Sequence, residues 1–133
     1  MPTFEVKHTV SDQFIGDVLT TALEGGDMVW ADILDVTRIA AHTNSKLDGL
    51  TVTSIRIGSK DCDGDPLPGM ASHEINFTTV TKGILAILSG HVRLRQDLLN
   101  QITRSVADND ADIDATAADC IVQAGLFGEV IYG

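Results

Sequence analysis

Aromatic residues make up only 5% of the 133-residue chain, cysteines number two and prolines three, and the stock of basic side chains is small. No apolar run approaches the roughly 20 residues a helix needs to cross a bilayer; the longest, Gly83–Leu88 and Ala124–Ile131, are far shorter. The start, Met1–His8, lacks a basic segment followed by an apolar one, so no secretory signal is read there and a cytoplasmic location is the default expectation. Cys62 and Cys120 lie far apart in unlike surroundings, one in an Asp-rich turn and one in an apolar periodic segment, which argues against a disulfide framework. No Cys-x-x-Cys pair occurs, and His8, His42, His73 and His91 fall singly, so a zinc site has no support either. Nine Lys and Arg against nineteen Asp and Glu leave a net charge of −10, which repels phosphate backbones and disfavours direct nucleic-acid binding.

What is present describes an ordinary folded body. The hydrophobic fraction of 44% suffices for a core, and the length suits a single domain over residues 1–133. Phe4, Val6 and His8 alternate with Glu5 and Lys7, the period of a half-buried strand reaching Val10. Ser11 stands at an N-cap position, and Phe14, Ile15, Val18, Leu19, Ala22 and Leu23 recur at helical spacing until Gly25-Gly26. Met28–Ile39 mixes apolar and acidic positions with β-branched residues and reads as a strand with room for a bulge. Residues 40–49 read as a loop. Thr51–Gly58 and His73–Phe77 predict a hairpin whose long tip carries Asp-Gly and two prolines.

Three helices complete the pattern. Thr79 or Thr81 is the expected cap of one whose stripe is Val80, Ile84, Leu85, Ile87 and Leu88, ending at Ser89-Gly90. A second is expected from about Arg93 to Val106. After the acidic stretch Asp108–Asp114, Asp114 is placed to cap a last helix containing Ala117, Ala118, Ile121, Val122 and Leu126. The expected fold class is α+β: a small, mainly antiparallel sheet of three to four strands packed against three to four helices.

Two Asp clusters and one tryptophan are the candidate site residues. Asp61, Asp63 and Asp65 have the alternation of a calcium loop and define the metal-binding reading, with His73 or Glu74 nearby for a metal-dependent enzyme. The register departs from that motif. Counting from Asp61 puts Pro66 at the sixth place, where glycine makes the sharp turn, and Ser72 at the twelfth, where a bidentate Glu is required. Asp108, Asp110, Asp112 and Asp114 form the second cluster, a candidate partner-binding surface whose carboxylates could stand in for phosphates in a basic groove. Trp30 reads either as core or as an exposed partner anchor, because Trp is enriched among interface hot spots. No Gly-x-Ser-x-Gly elbow and no phosphate-binding glycine loop is present, so no catalytic residue and no cofactor is named.

Thr21-Ala-Leu-Glu-Gly-Gly with Trp30-Ala31, and Ala118–Gly133 at the other end, resemble small proteins encoded by phages, prophages and plasmids, a family without an assigned activity. The resemblance implies a mobile-element setting, in which small acidic proteins antagonise host enzymes by binding them. The expected function is that of an acidic accessory protein acting through an unknown protein partner, such as a host nucleic-acid-binding or defence protein. Two alternatives are a metal-binding module and a self-assembling component using the apolar C-terminus from Leu126 to Tyr132. Because the Asp61–Asp65 register lacks both the turn glycine and the closing glutamate, calorimetric titration with calcium, magnesium and manganese is expected to be silent; binding heat and a raised melting temperature would favour the metal reading.

Overall fold

The computed structural model describes residues 10–26, 28, 30–38, 51–59, 72–110 and 112–131. Within them four helices and a three-stranded antiparallel sheet share one hydrophobic core, an α+β architecture. The expected first strand, Phe4–Val10, lies outside the described residues except for Val10, as do the loop 40–49 and the tip carrying Asp61, Asp63 and Asp65.

Helix α1, Asp12–Glu24, begins where the sequence pattern puts it. Ser11 Oγ accepts from the Phe14 backbone N–H at 3.1 Å, and Asp12 places a carboxylate against the positive end of the helix. Phe14, Ile15, Val18, Leu19 and Ala22 form its buried stripe. Strand β1, Ala31–Arg38, pairs with β2, Val52–Ser59, and β2 pairs with β3, Ser72–Asn76. The irregularity expected in the first of these is present twice, as register shifts between Ile33 and Asp35 and between Thr37 and Arg38. Ile55 and Ile57 of the central strand, with Ile75 opposite Ile55, are fully buried. The alternate row Asp35, Arg56 and Glu74 faces away from that core.

Helix α2, Phe77–Leu88, corrects the sequence reading at its start. Its cap is Asn76, and Phe77 opens the helix instead of closing the strand. The Asn76 side chain accepts from the Thr79 N–H at 3.2 Å while Thr79 Oγ1 accepts from the Asn76 N–H at 3.2 Å. This reciprocal capping turns strand into helix within one residue. Thr81, the other expected cap, instead donates to the Phe77 carbonyl at 2.8 Å. Helix α3, Gln96–Asp108, starts later than Arg93, after the turn at Gly90, and ends at Asn109, which adopts a left-handed conformation with φ 50°. Asn109 Oδ1 also accepts from the Ser11 N–H at 2.8 Å, tying the end of α3 to the start of α1.

Helix α4, Ala115–Phe127, is capped by Asp114, as expected, at 2.8 Å to the Ala117 N–H. Every residue from Ala117 to Ala124 is buried, the signature of a helix enclosed on all sides rather than lying on a surface. Its most extensive helix contact is with α2, and it also packs on α1 and α3. The approach of α2 and α4 is set by two glycines. A Cβ on Gly83 would lie 2.0 Å from the Ile121 carbonyl oxygen, and one on Gly125 would lie 2.0 Å from the Thr79 carbonyl oxygen. Backbone meets backbone at both points, so no side chain can swing aside.

Gly83→Ala is therefore expected to destabilise the fold by about 2–3 kcal/mol, the cost of overpacking outweighing the roughly 1 kcal/mol that Ala gains in helix propensity. Gly90→Ala, at φ +83° with open space around it, should lose only about 1–2 kcal/mol through the left-handed backbone. Urea unfolding of both variants checks this; equal losses would remove the close approach as the dominant constraint.

Candidate functional site

Trp30 falls on the core side of the two readings given to it. It is 5% exposed, its ring meets Phe127 edge-on at 5.5 Å between centroids, and its indole N–H donates to Asp119 Oδ1 at 2.8 Å. As placed, it offers no exposed anchor to a partner. Gln123, fully buried, donates through Nε2 to Asp119 Oδ2 at 2.7 Å, and its Oε1 accepts from the Ile131 backbone N–H at 2.9 Å. Asp119 and Gln123 are one helical turn apart on α4, which brings both to the same side. The chain of bonds runs from the residue before β1, through α4, to the segment after α4. Leu126, Phe127 and Val130 are half-buried against the core, leaving Ile131 as the exposed apolar residue of the described tail.

The second acidic cluster divides. Asp108, Asp110 and Asp112 are exposed and share a shallow cleft of about 380 Å³ with Arg104, Asn100 and Gln101. Asp114 serves the fold instead. Besides capping α4, it accepts from Gln101 Nε2 at 3.2 Å, and its own N–H donates to Gln101 Oε1 at 2.5 Å. The first cluster, Asp61, Asp63 and Asp65, cannot be placed because it lies outside the described residues. His73 and Glu74 are exposed on β3, where Glu74 accepts from Ser54 Oγ at 2.8 Å. Among the described residues no group of three or more His, Cys, Asp or Glu side chains is arranged to hold a metal ion.

The feature that the sequence did not announce is a groove of about 670 Å³ between α2 and α3. Ile84, Ile87 and Leu88 form one side and Leu99 and Val106 the other, with Val10 and Ile15 at the start of α1 contributing. Leu85, expected within a packed stripe, is 67% exposed at its lip. The available signal was the width of that stripe. Five apolar positions between Val80 and Leu88 cover more of the helix surface than contact with α4 requires.

Ser89 and His91 meet near this groove. Ser89 lines it, and its Oγ lies 2.6 Å from His91 Nδ1. A nucleophile and a base at hydrogen-bond distance satisfy only part of what acyl transfer needs. Ser89 is the C-cap of α2, where carbonyl oxygens and the negative end of the helix dipole point outward, a setting opposed to a developing oxyanion. Its hydroxyl also reaches the Ala86 carbonyl at 3.2 Å, in keeping with a helix-terminating role.

Among the described residues no helix is long and apolar enough to cross a membrane. Comparison with protein-family models, curated proteins and solved structures yields no significant match.

Asp119→Asn replaces one acceptor oxygen with a donor, so Trp30 or Gln123 loses its partner. The expected loss is about 1–3 kcal/mol. If the Gln123 amide turns to compensate, the Ile131 N–H loses its acceptor, and hydrogen exchange there should accelerate along with the drop in stability. Wild-type stability and unchanged exchange at Ile131 would contradict the network.

Proposed function

We propose that this protein is an accessory binding protein that acts by holding another protein chain rather than by transforming a substrate. The observation that carries this reading is the open α2–α3 groove with Leu85 at its lip. Leu85 extends the apolar lining of the groove onto its exposed lip, and apolar grooves rimmed by polar residues mark interaction sites. The paired Ser89 and His91 lack the electrostatic support that would turn the groove into a reaction chamber.

The acidic corner formed by Asp108, Asp110 and Asp112 adds a second element. Three exposed carboxylates beside one short turn would draw in a partner with a basic surface, such as a nucleic-acid-binding or defence protein of a host. The mobile-element setting implied by the two terminal sequence patches is compatible with such an antagonist. On this proposal the groove supplies the lasting contact and the acids supply the encounter rate.

Affinity capture from extract of the native host, comparing the wild-type chain with Leu85→Glu and with the triple Asp→Asn variant at 108, 110 and 112, tests the proposal. A partner identified with wild type should be lost with Leu85→Glu. It should be retained with the triple variant, but with an association rate that is slower and less sensitive to salt. A partner held equally by all three proteins would place the binding surface elsewhere and defeat this reading.

A further inference from the structure

The side of α3 opposite the groove residues Leu99, Thr103 and Val106 walls the acidic cleft. Asp97, Asn100, Gln101, Arg104, Ser105 and Asp108 recur there at helical spacing and form a wall about 16 Å long. The facing wall is the chain that follows α3. The Asp110 N–H donates to the Ser105 carbonyl at 3.0 Å, and Asp114 is bonded to the Gln101 side chain, so Asp110 and Asp112 run back along the helix. Spread over that length, the volume of about 380 Å³ amounts to a channel roughly 5 Å across, about half the diameter of a helix with its side chains.

Ser105 lies in the wall of this cleft and is only 5% exposed. Among the described residues its hydroxyl has no hydrogen-bond partner, whereas every fully enclosed side-chain oxygen or nitrogen has one. The Ser105 hydroxyl therefore opens into the cleft, with its bonding capacity left for whatever lies there.

The charges around it are uneven. Among the described residues Asp108, Asp110 and Asp112 have no ion pair, and Arg104 is the one cation of the lining. Asp97 is held at 3.3 Å by Arg95, an exposed pair of the kind that contributes little. Four carboxylates against one guanidinium leave an excess of three negative charges. The acids stand along both walls, and among the described residues no three of them are arranged around a metal ion. Separated positive charges on an unbranched chain match this layout better than a compact ion does.

We propose that the cleft binds a linear aliphatic polyamine. Its ammonium groups face the carboxylates of Asp108, Asp110 and Asp112, and one of its N–H groups donates to Ser105 Oγ. The site lies on the opposite side of α3 from the groove, so it goes beyond the protein-binding reading and does not depend on it.

Isothermal titration of the full chain with spermidine, a trication near pH 7, tests this at about 0.1 M salt, where exposed charges act over about 10 Å. One-to-one binding is expected, and 1,4-diaminobutane and magnesium chloride should each bind at least about tenfold more weakly. Ser105→Ala keeps the charge and removes a hydroxyl that the fold does not use. It should weaken spermidine binding by about tenfold, the scale of a hydrogen bond to a charged group. Arg104→Gln, at an exposed position, should tighten binding about threefold by removing a repelling cation. Leu85→Glu should leave the titration unchanged, whatever it does to capture of a host partner.

Equal affinity for magnesium would reduce the acids to a diffuse counterion layer, and wild-type affinity in folded Ser105→Ala would reduce the site to attraction by charge alone; either result overturns the proposal. Weaker binding in Arg104→Gln overturns it too, because the guanidinium would then be holding an anionic group. A tri-lysine peptide that binds more tightly than spermidine would assign the same ammonium chemistry to side chains of a partner, and absence of spermidine binding would leave the cleft without its ligand; each of these also defeats the proposal.

Discussion

The backbone-to-backbone approach of α2 and α4 is the constraint on which the rest of the structure depends. Gly83 and Gly125 remove the side chains that would hold the two helices apart, and the Ile121 and Thr79 carbonyls occupy the space so gained. Val80 is fully buried on the core side of α2, while Ile84, Leu85, Ile87 and Leu88 line the groove that α3 completes. The sheet is placed by the same helix. β3 passes directly into α2 through the Asn76 and Thr79 reciprocal cap, so the position of α2 on α4 also determines how Ile55, Ile57 and Ile75 meet the helical layer.

A fully enclosed α4 would be expected to carry only apolar side chains, yet Asp119 and Gln123 lie within its buried span. Removing such groups from water costs several kcal/mol unless hydrogen bonds replace those lost. The bonds from Trp30 and Gln123 to Asp119, and from Ile131 to Gln123, supply that replacement. They also have a directional consequence that apolar packing lacks. Hydrophobic contacts tolerate sliding, whereas a carboxylate with a donor on each oxygen fixes the rotation of α4 about its own axis relative to Trp30. The tail after α4 therefore keeps a defined angular relation to the residue that leads into β1.

Local chemistry made most of the elements legible. Ser11 and Asp114 are capping residues that act at short range, and the 3.6-residue spacing of Phe14, Val18 and Ala22 required no knowledge of the partner surface. The mixed pattern after Met28 correctly implied an irregular strand, because alternation that fails to stay on one face is what a bulge produces. The start of α2 was misread because Asn76 is at once the last residue of a strand and the cap of a helix, and period-based reasoning assigns each residue a single role.

The site was less legible. Lining residues come from α1, α2 and α3, and the sequence records that Leu85 is apolar but not that α4 takes only one side of its helix. Trp30 was ambiguous for a related reason. Its hydrogen-bond partner, Asp119, is remote in sequence and was hidden in a segment otherwise read as an apolar stripe. Among the four aspartates near 108–114, separation of Asp114 from the rest depended on Gln101, which sits on a different helix.

The position of α4 in the chain has a bearing on biosynthesis. Residues 115–127 form the centre of the fold, yet a ribosome makes them after α1, the three strands, α2 and α3. Until they emerge, the glycine-lined flank of α2 and the buried stripe of α1 have no surface to rest on, and the nascent polypeptide exposes its future interior. Long-range contacts of this kind slow folding and lengthen exposure to aggregation. Any truncation upstream of Ala115 removes the helix against which α1, α2 and α3 pack.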